Sequence, residues 1–415
     1  DILKSSEFYV HDAERKLCWK GQSFSAKCSL EWFIRRQVKI VDLVLHQGMA
    51  NDMVKTYLQA FGQHVRHVRP GSDVQRSLVE KYCPNITSYV YQSHDVDAGC
   101  LIRVLNSTPR LEMLYLECKV YGRFEPTLEH PIPTLAHLTQ IEWFSKYGFD
   151  DKLPLLARMA PNLNQLSIRC VLHKCAQING NAALDVARAC PHLRTLSCIE
   201  LDIGPYDSFL QPFLAKSSGI INLDVRNHAN LTDEALIGAL GELHQLKCLD
   251  LRGCCMLTDT TLEFLSQRFA STLQILYLDY SESYDEDVQG GYTAKGIANL
   301  RVRCSQLHTF HFFLKADLDI ECTQRFEAYQ SATTLEINTP CAAILPIVIE
   351  HCQQMQILVI DQWSRTPLNV NAEQLMTIVA NCRMLHTVVY PKKNAKADYC
   401  AVKKMFPKLR FSEFS

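Results

Sequence analysis

The chain has 415 residues, of which 47% are hydrophobic, and its 43 Lys plus Arg nearly balance its 44 Asp plus Glu. A balanced charge excludes a general electrostatic attraction to nucleic acid or to an anionic membrane, so neither partner is expected. The length predicts either several domains or one repeat array that grows by stacking, with a large core in both cases.

Segment 1–37 precedes the repeated pattern. Its last part, SLEWFIRRQ at 29–37, has helical character and leads into the first predicted strand, as expected of a cap that covers the open end of an array. The sequence has no apolar run of membrane-spanning length, and its polar start is unlike a signal-peptide core. We therefore predict a cytoplasmic or nuclear protein, or an organellar one if a presequence was removed before Asp1.

The repeated pattern begins at residue 38 and has the form apolar-x-x-apolar-x-apolar. Its copies start about 21 to 34 residues apart, which is the range of leucine-rich repeats. The clear copies start at Val38, Ile86, Leu111, Leu138, Leu163, Leu193, Ile220, Leu246, Leu273, Leu307, Ala332, Met355 and Leu385, and the weaker ones at Val65 and Leu409. The pattern predicts an α/β fold over 38–415, a horseshoe-shaped solenoid of about fifteen leucine-rich repeats with a parallel sheet on the concave side and helices outside.

The stretch after each predicted strand often has helical spacing, most clearly in NLTDEALIGALGELHQL at 230–246. Thr232 is placed to cap this helix at its N-terminus. Leu236, Leu240 and Leu243 fall on one helical face. Each repeat is therefore predicted to contain one strand and one helix.

The 18 cysteines recur at fixed places in the repeats, which favours buried reduced thiols over disulfides. Cys170, His173 and Cys175 are spaced closely enough to ligate zinc, but a fourth ligand is missing and the repeat pattern places Cys170 in the core. We therefore predict no metal and no cofactor. The sequence also lacks a nucleophile elbow, a phosphate-binding loop and a metalloprotease motif, so we predict no catalytic residue and no enzyme activity.

Several repeats enter their strand through Cys-Pro, as in YCPNI and ACPHL, and segment 249–265 reads LDLRGCCMLTDTTLEFL. This combination resembles the cysteine-containing, ribonuclease-inhibitor-like leucine-rich repeats of F-box proteins over about residues 38–415. The resemblance implies an F-box module ahead of the array. Asp1-Ile2-Leu3 and Cys18-Trp19 resemble fragments of such a module, but the distance between them is too short. Segment 1–37 is thus predicted to be either a helical cap or the remnant of an F-box-like module.

Strand alternation predicts which side chains point to the concave face, because residues between the buried apolar positions lie on the opposite side of the strand. Arg169, Arg226 and Arg252 hold the same place in their repeats, and arginines with aromatic neighbours are typical of interface hot spots. The residues predicted to contact a protein partner are Tyr115, Glu117, Glu142, Phe144, Arg169, Asp224, Arg226, Asp250, Arg252, Tyr277, Asp279, His311 and Phe313.

An alternative stays open for this face, in which Asp224 with Arg252 and Asp250 with Arg226 merely pair across neighbouring strands. If the arginines are exposed anchors instead, changing both to Glu leaves the stability nearly unchanged and weakens partner binding roughly thirtyfold or more. The long acidic insertion at 281–296 and the basic stretch at 390–404 are further candidate contacts. Each of them is also explained as a solvated loop or end cap.

The resemblance implies the substrate-recognition subunit of an SCF-type E3 ubiquitin ligase. In that family a Skp-family adaptor and a cullin are reached through the N-terminal module, and the solenoid selects the protein target. The rival hypothesis is a structural leucine-rich-repeat scaffold subunit of a larger organellar, ribosomal or ciliary assembly with no ubiquitin role. Both hypotheses predict a non-catalytic protein-binding solenoid.

Overall fold

The chain divides into two compact units, residues 1–195 and residues 196–415. The structure is a computed structural model, and the residues that it describes are 9–10, 17–19, 22–23, 35, 41–45, 49–122, 132–145, 149, 152–170, 180–199, 210–281, 291–292, 294–307, 309–315, 334–337, 354–360, 372–391, 402 and 404–414. The domain boundary that the sequence predicts after residue 37 stays a prediction.

The first unit starts with three short strands, β1 (Tyr9–Val10), β2 (Leu17–Trp19) and β3 (Gln22–Ser23), which pair antiparallel in that order. Arg35, within the stretch 29–37 that the sequence predicts as helical, is helical, and the prediction that segment 1–37 is a helical cap or the remnant of an F-box-like module stays a prediction. Strands of two or three residues are too short to show an alternating pattern, and their pairing depends on residues distant in sequence.

The repeats of the first unit contribute six parallel strands, each paired with the next in chain order. These strands are β4 (Asp42–Val44), β5 (His67–Arg69), β6 (Ser88–Asp97), β7 (Met113–Tyr121), β8 (Gln140–Ser145) and β9 (Gln165–Cys170). The helices of this unit are α1 (Asn51–Phe61), a 3-10 turn (Gly62–His64), α2 (Asp73–Tyr82), α3 (Ala98–Ser107), α4 (Lys152–Met159) and α5 (Gly180–Ala189).

The second unit repeats this alternation. The division between the units falls in β10 (Thr195–Ile199), and the strands after it are β11 (Asn222–Asp224), β12 (Cys248–Asp250), β13 (Ile275–Ser281), β14 (Thr309–Lys315), β15 (Thr334–Ile337), β16 (Ile357–Ile360), β17 (Thr387–Pro391) and β18 (Arg410–Phe414). From β11 to β18 each strand pairs in parallel with its successor. The helices are α6 (Leu210–Lys216), α7 (Asp233–Leu240), α8 (Asp259–Arg268), α9 (Ala294–Arg303) and α10 (Ala372–Asn381).

The core consists of apolar side chains at alternate strand positions, as predicted. In the second unit, Leu223, Leu249 and Leu276 occupy successive strands in register and are fully buried. A strand lies at every position where the sequence pattern predicts one. Parallel strands in chain order, connected by helices, define the α/β architecture of a leucine-rich-repeat solenoid in each unit.

Buried side chains on or just after several strands hydrogen-bond to the backbone of the preceding repeat. His228 Nε2 lies 2.6 Å from the carbonyl oxygen of Cys198, and Cys254 Sγ donates to the carbonyl oxygen of Val225 at 3.1 Å. In the first unit, Trp143 Nε1 donates to the carbonyl oxygen of Cys118 at 3.1 Å. These donors satisfy backbone carbonyls that would otherwise be buried without a partner.

Helix α7 begins where the sequence predicts, because the Thr232 side chain accepts a hydrogen bond from the backbone N–H of Ala235 at 3.4 Å. The buried face of this segment contains Leu236, Leu240 and Leu243, as predicted. Asp233 in the first turn accepts hydrogen bonds from the Thr258 backbone and side chain. The N-terminus of α7 is thereby hydrogen-bonded to the N-terminus of α8. In the described part of the chain, no helix has both the length and the apolar character needed to cross a membrane.

Candidate functional site

Strands β7 and β8 carry four half-buried side chains between their buried positions: Tyr115 and Glu117 on β7, and Glu142 and Phe144 on β8. The strand register places Tyr115 opposite Glu142 and Glu117 opposite Phe144. Each carboxylate therefore lies opposite an aromatic ring, and the two carboxylates lie on one diagonal. We call these four residues the β7–β8 patch.

Neutral amides hold the two carboxylates of the β7–β8 patch. Gln92 Nε2 donates to Glu117 Oε2 at 2.8 Å, and Gln140 Nε2 donates to Glu142 Oε1 at 2.6 Å. The side-chain oxygen of Gln92 in turn accepts a hydrogen bond from Arg69. Among the residues that the structure describes, neither glutamate is within ion-pair distance of a Lys, Arg or His side chain.

Arg169 lies on β9 at the edge of the β7–β8 patch, opposite Phe144 in the strand register. Its guanidinium carbon is 5.6 Å from the centre of the Phe144 ring, and its side chain is exposed. A guanidinium at this distance from an aromatic face is attracted by the ring quadrupole. The structure thus brings together five of the residues that the sequence predicts as partner contacts.

The second unit carries two copies of the same Asp–Arg arrangement, which we call the Asp–Arg ladder. Arg226 donates from Nε and Nη2 to Asp224 at 2.9 and 2.8 Å, and Arg252 donates from the same atoms to Asp250 at 3.0 and 2.6 Å. Arg226 Nε also lies 3.3 Å from Asp250 Oδ2, which connects the two copies. The Arg252 guanidinium carbon is 4.9 Å from the centre of the Tyr277 ring.

The side chains of the Asp–Arg ladder are less accessible than the sequence predicts. The Asp250 side chain is 9% exposed, against 25% for Arg252 and 35% for Arg226. Asp250, predicted to lie on the open face, is therefore buried beneath the two arginines. Strand alternation specifies the side of the sheet but not the coverage by longer neighbouring side chains, so the sequence could not predict this burial.

Hydrogen bonding within the ladder stabilises the charged form of Arg226. The hydrogen bond to Asp224 raises the pKa of Arg226, against an opposing effect of desolvation. Burial raises the pKa of Tyr277. The closest Asp–Arg contacts join the last residue of a strand to the turn two residues later, and of the cross-strand pairs that the sequence left open as an alternative, Asp250 with Arg226 is present.

Three of the predicted contact residues lie on β13 and β14, where the structure describes only their backbone. Backbone register pairs Asp279 with Phe313 and Tyr277 with His311 on β13 and β14. The side chains of Asp279, His311 and Phe313 lie outside the described part of the chain. Most of the acidic insertion and of the basic stretch is also outside it, at 282–290 and 392–401.

Cys170 of the zinc hypothesis is fully buried, as the repeat pattern predicts, and His173 and Cys175 lie outside the described residues. Over the described ranges, no group of three or more His, Cys, Asp or Glu side chains is arranged to hold a metal ion.

Sequence reasoning missed the polar residues that support the predicted ones. Ser197 donates to Asp224 at 3.0 Å, and Gln92 and Gln140 hold the two glutamates of the β7–β8 patch. All three occupy alternate strand positions, which is a signal that the sequence contains. They were overlooked because neutral polar side chains are not enriched among interface hot spots.

The strands and helices have the arrangement of a leucine-rich-repeat fold, and its sheets carry polar and aromatic side chains between their buried positions. No protein-family model matches the sequence, and comparison with curated proteins finds no match. Among solved structures, the chain is similar to one in the complex of Rad7 and Elc1 from yeast, with 15% identity, a TM-score of 0.46, and coverage of 92% of this chain and 83% of that one. It is also similar to a chain in the complex of TLR13 with ssRNA13, with 13% identity, a TM-score of 0.40, and coverage of 85% of this chain and 57% of that one.

Proposed function

We propose that the chain is a non-catalytic protein-binding solenoid that acts as the substrate-recognition subunit of an SCF-type E3 ubiquitin ligase in the cytoplasm or nucleus. In this proposal the sheet faces select a protein target. A Skp-family adaptor and a cullin connect the receptor to the ubiquitin-conjugating enzyme, which performs the transfer chemistry.

The β7–β8 patch is the observation that carries the protein-binding part of the proposal. Half-buried aromatic rings beside carboxylates on a rigid sheet offer both apolar area and directional polar contacts. The strands that carry them are held by a buried core on the opposite side, so these side chains are already ordered before a partner binds. Such preorganisation lowers the entropy cost of association.

The ubiquitin part of the proposal has its support in the cysteine-containing repeat pattern. Two of its cysteines, Cys190 and Cys254, are buried, and their thiols hydrogen-bond to backbone carbonyls of the preceding repeat. Such buried cysteines stabilise the solenoid and do not themselves contact a target.

The decisive experiment is to tag the protein in its native cells and to identify the proteins that co-purify with it. The proposal expects a Skp-family adaptor, a cullin and at least one target whose ubiquitination depends on the receptor. Recovery of ribosomal, organellar or ciliary subunits, without adaptor or cullin, would instead establish the scaffold hypothesis.

A substitution on the sheet face separates target binding from adaptor binding. We expect Phe144→Ala to reduce recovery of the target while the amounts of adaptor and cullin stay unchanged. Val302→Ala on α9 is the matched control, because Val302 is a highly exposed apolar residue outside the patch. Equal loss of target in both variants would exclude the β7–β8 patch as the contact surface.

A further inference from the structure

Carboxylates on the sheets of the two units have different hydrogen-bond partners, and this difference points to the chemistry of the partner protein. In the Asp–Arg ladder each aspartate already has an arginine at hydrogen-bond distance. In the β7–β8 patch Glu117 and Glu142 accept hydrogen bonds from neutral amides, and within the described ranges neither carboxylate forms an ion pair. A carboxylate that is held by neutral amides keeps its negative charge, which attracts a partner of opposite charge.

We propose that the β7–β8 patch binds an extended segment of the partner protein through an Arg or Lys side chain that lies between Glu117 and Glu142. This proposal deepens the proposed function and rests on it, since it names the chemistry of the target segment. The partner's cation would contact both carboxylates, and the apolar part of its side chain would pack on the neighbouring rings.

The geometry of the sheet suits one cation at this place. The two glutamates lie on adjacent strands and two residues apart along them, which places their strand positions about 8 Å apart. A guanidinium or ammonium group centred between them would be within about 4 Å of both carboxylates, the distance of an ion pair. One cation can therefore serve both glutamates, and their mutual repulsion is relieved when it binds.

The aromatic residues favour arginine over lysine in this segment. A planar guanidinium can stack on an aromatic ring while it donates to a carboxylate in its own plane. The chain itself contains an example, because the Arg169 guanidinium lies over Phe144. Tyr115 and Phe144 flank the two glutamates on the other diagonal and supply rings on both sides of the proposed cation.

Peptide display against the full chain tests this inference. A library of random peptides would be selected on the wild-type chain, and enriched peptides would be measured by fluorescence anisotropy at low and high salt. We expect enriched peptides to contain Arg or Lys beside an apolar residue, and high salt to weaken their binding. Replacing the basic residue of a peptide by Gln should reduce its affinity about tenfold or more.

The protein variant for this test is Glu117→Gln combined with Glu142→Gln. Glutamine can still accept the hydrogen bonds from Gln92 and Gln140, so the fold should be retained while both charges disappear. We expect the double variant to bind the basic peptides about tenfold or more weakly than the wild type. The matched control, Glu234→Gln with Glu242→Gln, removes two charges from exposed positions on and after α7 and should bind as the wild type does.

The inference is overturned if enriched peptides lack basic residues, if the patch variant binds them as well as the control does, or if no peptide is enriched. The single variant Glu142→Gln provides an independent measurement should the double variant melt earlier than the wild type. Co-purification of adaptor and target from cells decides the proposed function separately. A recovered target together with failed basic-peptide binding would therefore exclude this inference alone.

Discussion

Arg252 binds the carboxylate of Asp250 with two parallel hydrogen bonds, from Nε to Oδ1 at 3.0 Å and from Nη2 to Oδ2 at 2.6 Å. The same aspartate lies 3.3 Å from Nε of Arg226, so one nearly buried carboxylate receives two guanidinium groups. Removal of both cations would leave Asp250 charged, desolvated and beside a second aspartate.

We therefore expect the double variant Arg226→Glu/Arg252→Glu to be clearly destabilised, against the expectation from sequence that its stability hardly changes. Removing one partner of a buried ion pair lowers the free energy of unfolding by roughly 3 to 5 kcal/mol. Because both arginines are partly exposed, we expect a loss of about 2 kcal/mol here. Urea unfolding measures the difference. Lys247→Glu is the control, since Lys247 is exposed in the same unit. If the double variant is as stable as the wild type, these arginines do not stabilise the fold and are exposed anchors instead.

Gly253 is required by the turn that follows β12. Its φ angle is +76°, in the left-handed region, and a Cβ atom at this position would lie 2.3 Å from Asn227 Oδ1 and 2.9 Å from Asn227 Cα. We expect Gly253→Ala to lower the free energy of unfolding by about 1 to 3 kcal/mol through strain and overlap. Thermal melting beside urea unfolding gives this value.

Gly238 provides the matched control for that substitution. It lies inside α7, and a Cβ there would meet its nearest neighbour, Gln211 Nε2, at 3.6 Å, an ordinary contact. We expect Gly238→Ala to raise the free energy of unfolding by up to about 1 kcal/mol, because alanine favours the helix. Equal effects of the two substitutions would contradict the turn geometry at Gly253.

Leu249 tests the continuity of the core within the second unit. The side chain is fully buried and its strand pairs with β11 on one side and β13 on the other. We expect Leu249→Asp to cost several kcal/mol and to abolish the cooperative melting of neighbouring repeats, since a buried carboxylate has no partner there. Lys247→Asp, two positions earlier and exposed, should melt cooperatively. Normal melting of the Leu249 variant would contradict the repeat assignment.

Because of its buried thiols, the folded chain is expected to lose stability as the pH becomes alkaline. Burial raises the pKa of Cys118 and of Cys190 from 9.0 to about 12. Above pH 9 the unfolded chain loses these protons while the folded chain keeps them, so stability present below pH 9 is lost as the pH rises toward about 12. Each thiol contributes a slope of about 1.4 kcal/mol per pH unit in this window.

Urea unfolding at a series of pH values above 9 measures this slope. We expect Cys118→Ala to be less stable than the wild type at neutral pH and to lose stability less steeply as the pH rises. The double variant with Cys190→Ala should lose it less steeply still. Parallel pH profiles for all three proteins would show that the two thiols titrate alike in the folded and unfolded chains.

By itself, the sequence determined the positions of the repeat strands, the sides of these strands that are buried, and the start of α7 at Thr232. These features depend on local rules: the two-residue alternation of a strand, the helical spacing of leucines, and the affinity of a threonine oxygen for a free backbone N–H. The same alternation placed Tyr115, Glu117, Glu142 and Phe144 on one face, and in the structure all four side chains are half-buried between the buried strand positions.

Only the tertiary structure decided how these side chains are partnered. It showed that Asp250 is buried beneath Arg226 and Arg252, whereas Glu117 and Glu142 are held by neutral amides. It also showed that β1, β2 and β3 pair into a small antiparallel sheet ahead of the repeats. These outcomes depend on distances between residues that are far apart in sequence and on how long side chains cover their neighbours, and a one-dimensional pattern contains neither quantity.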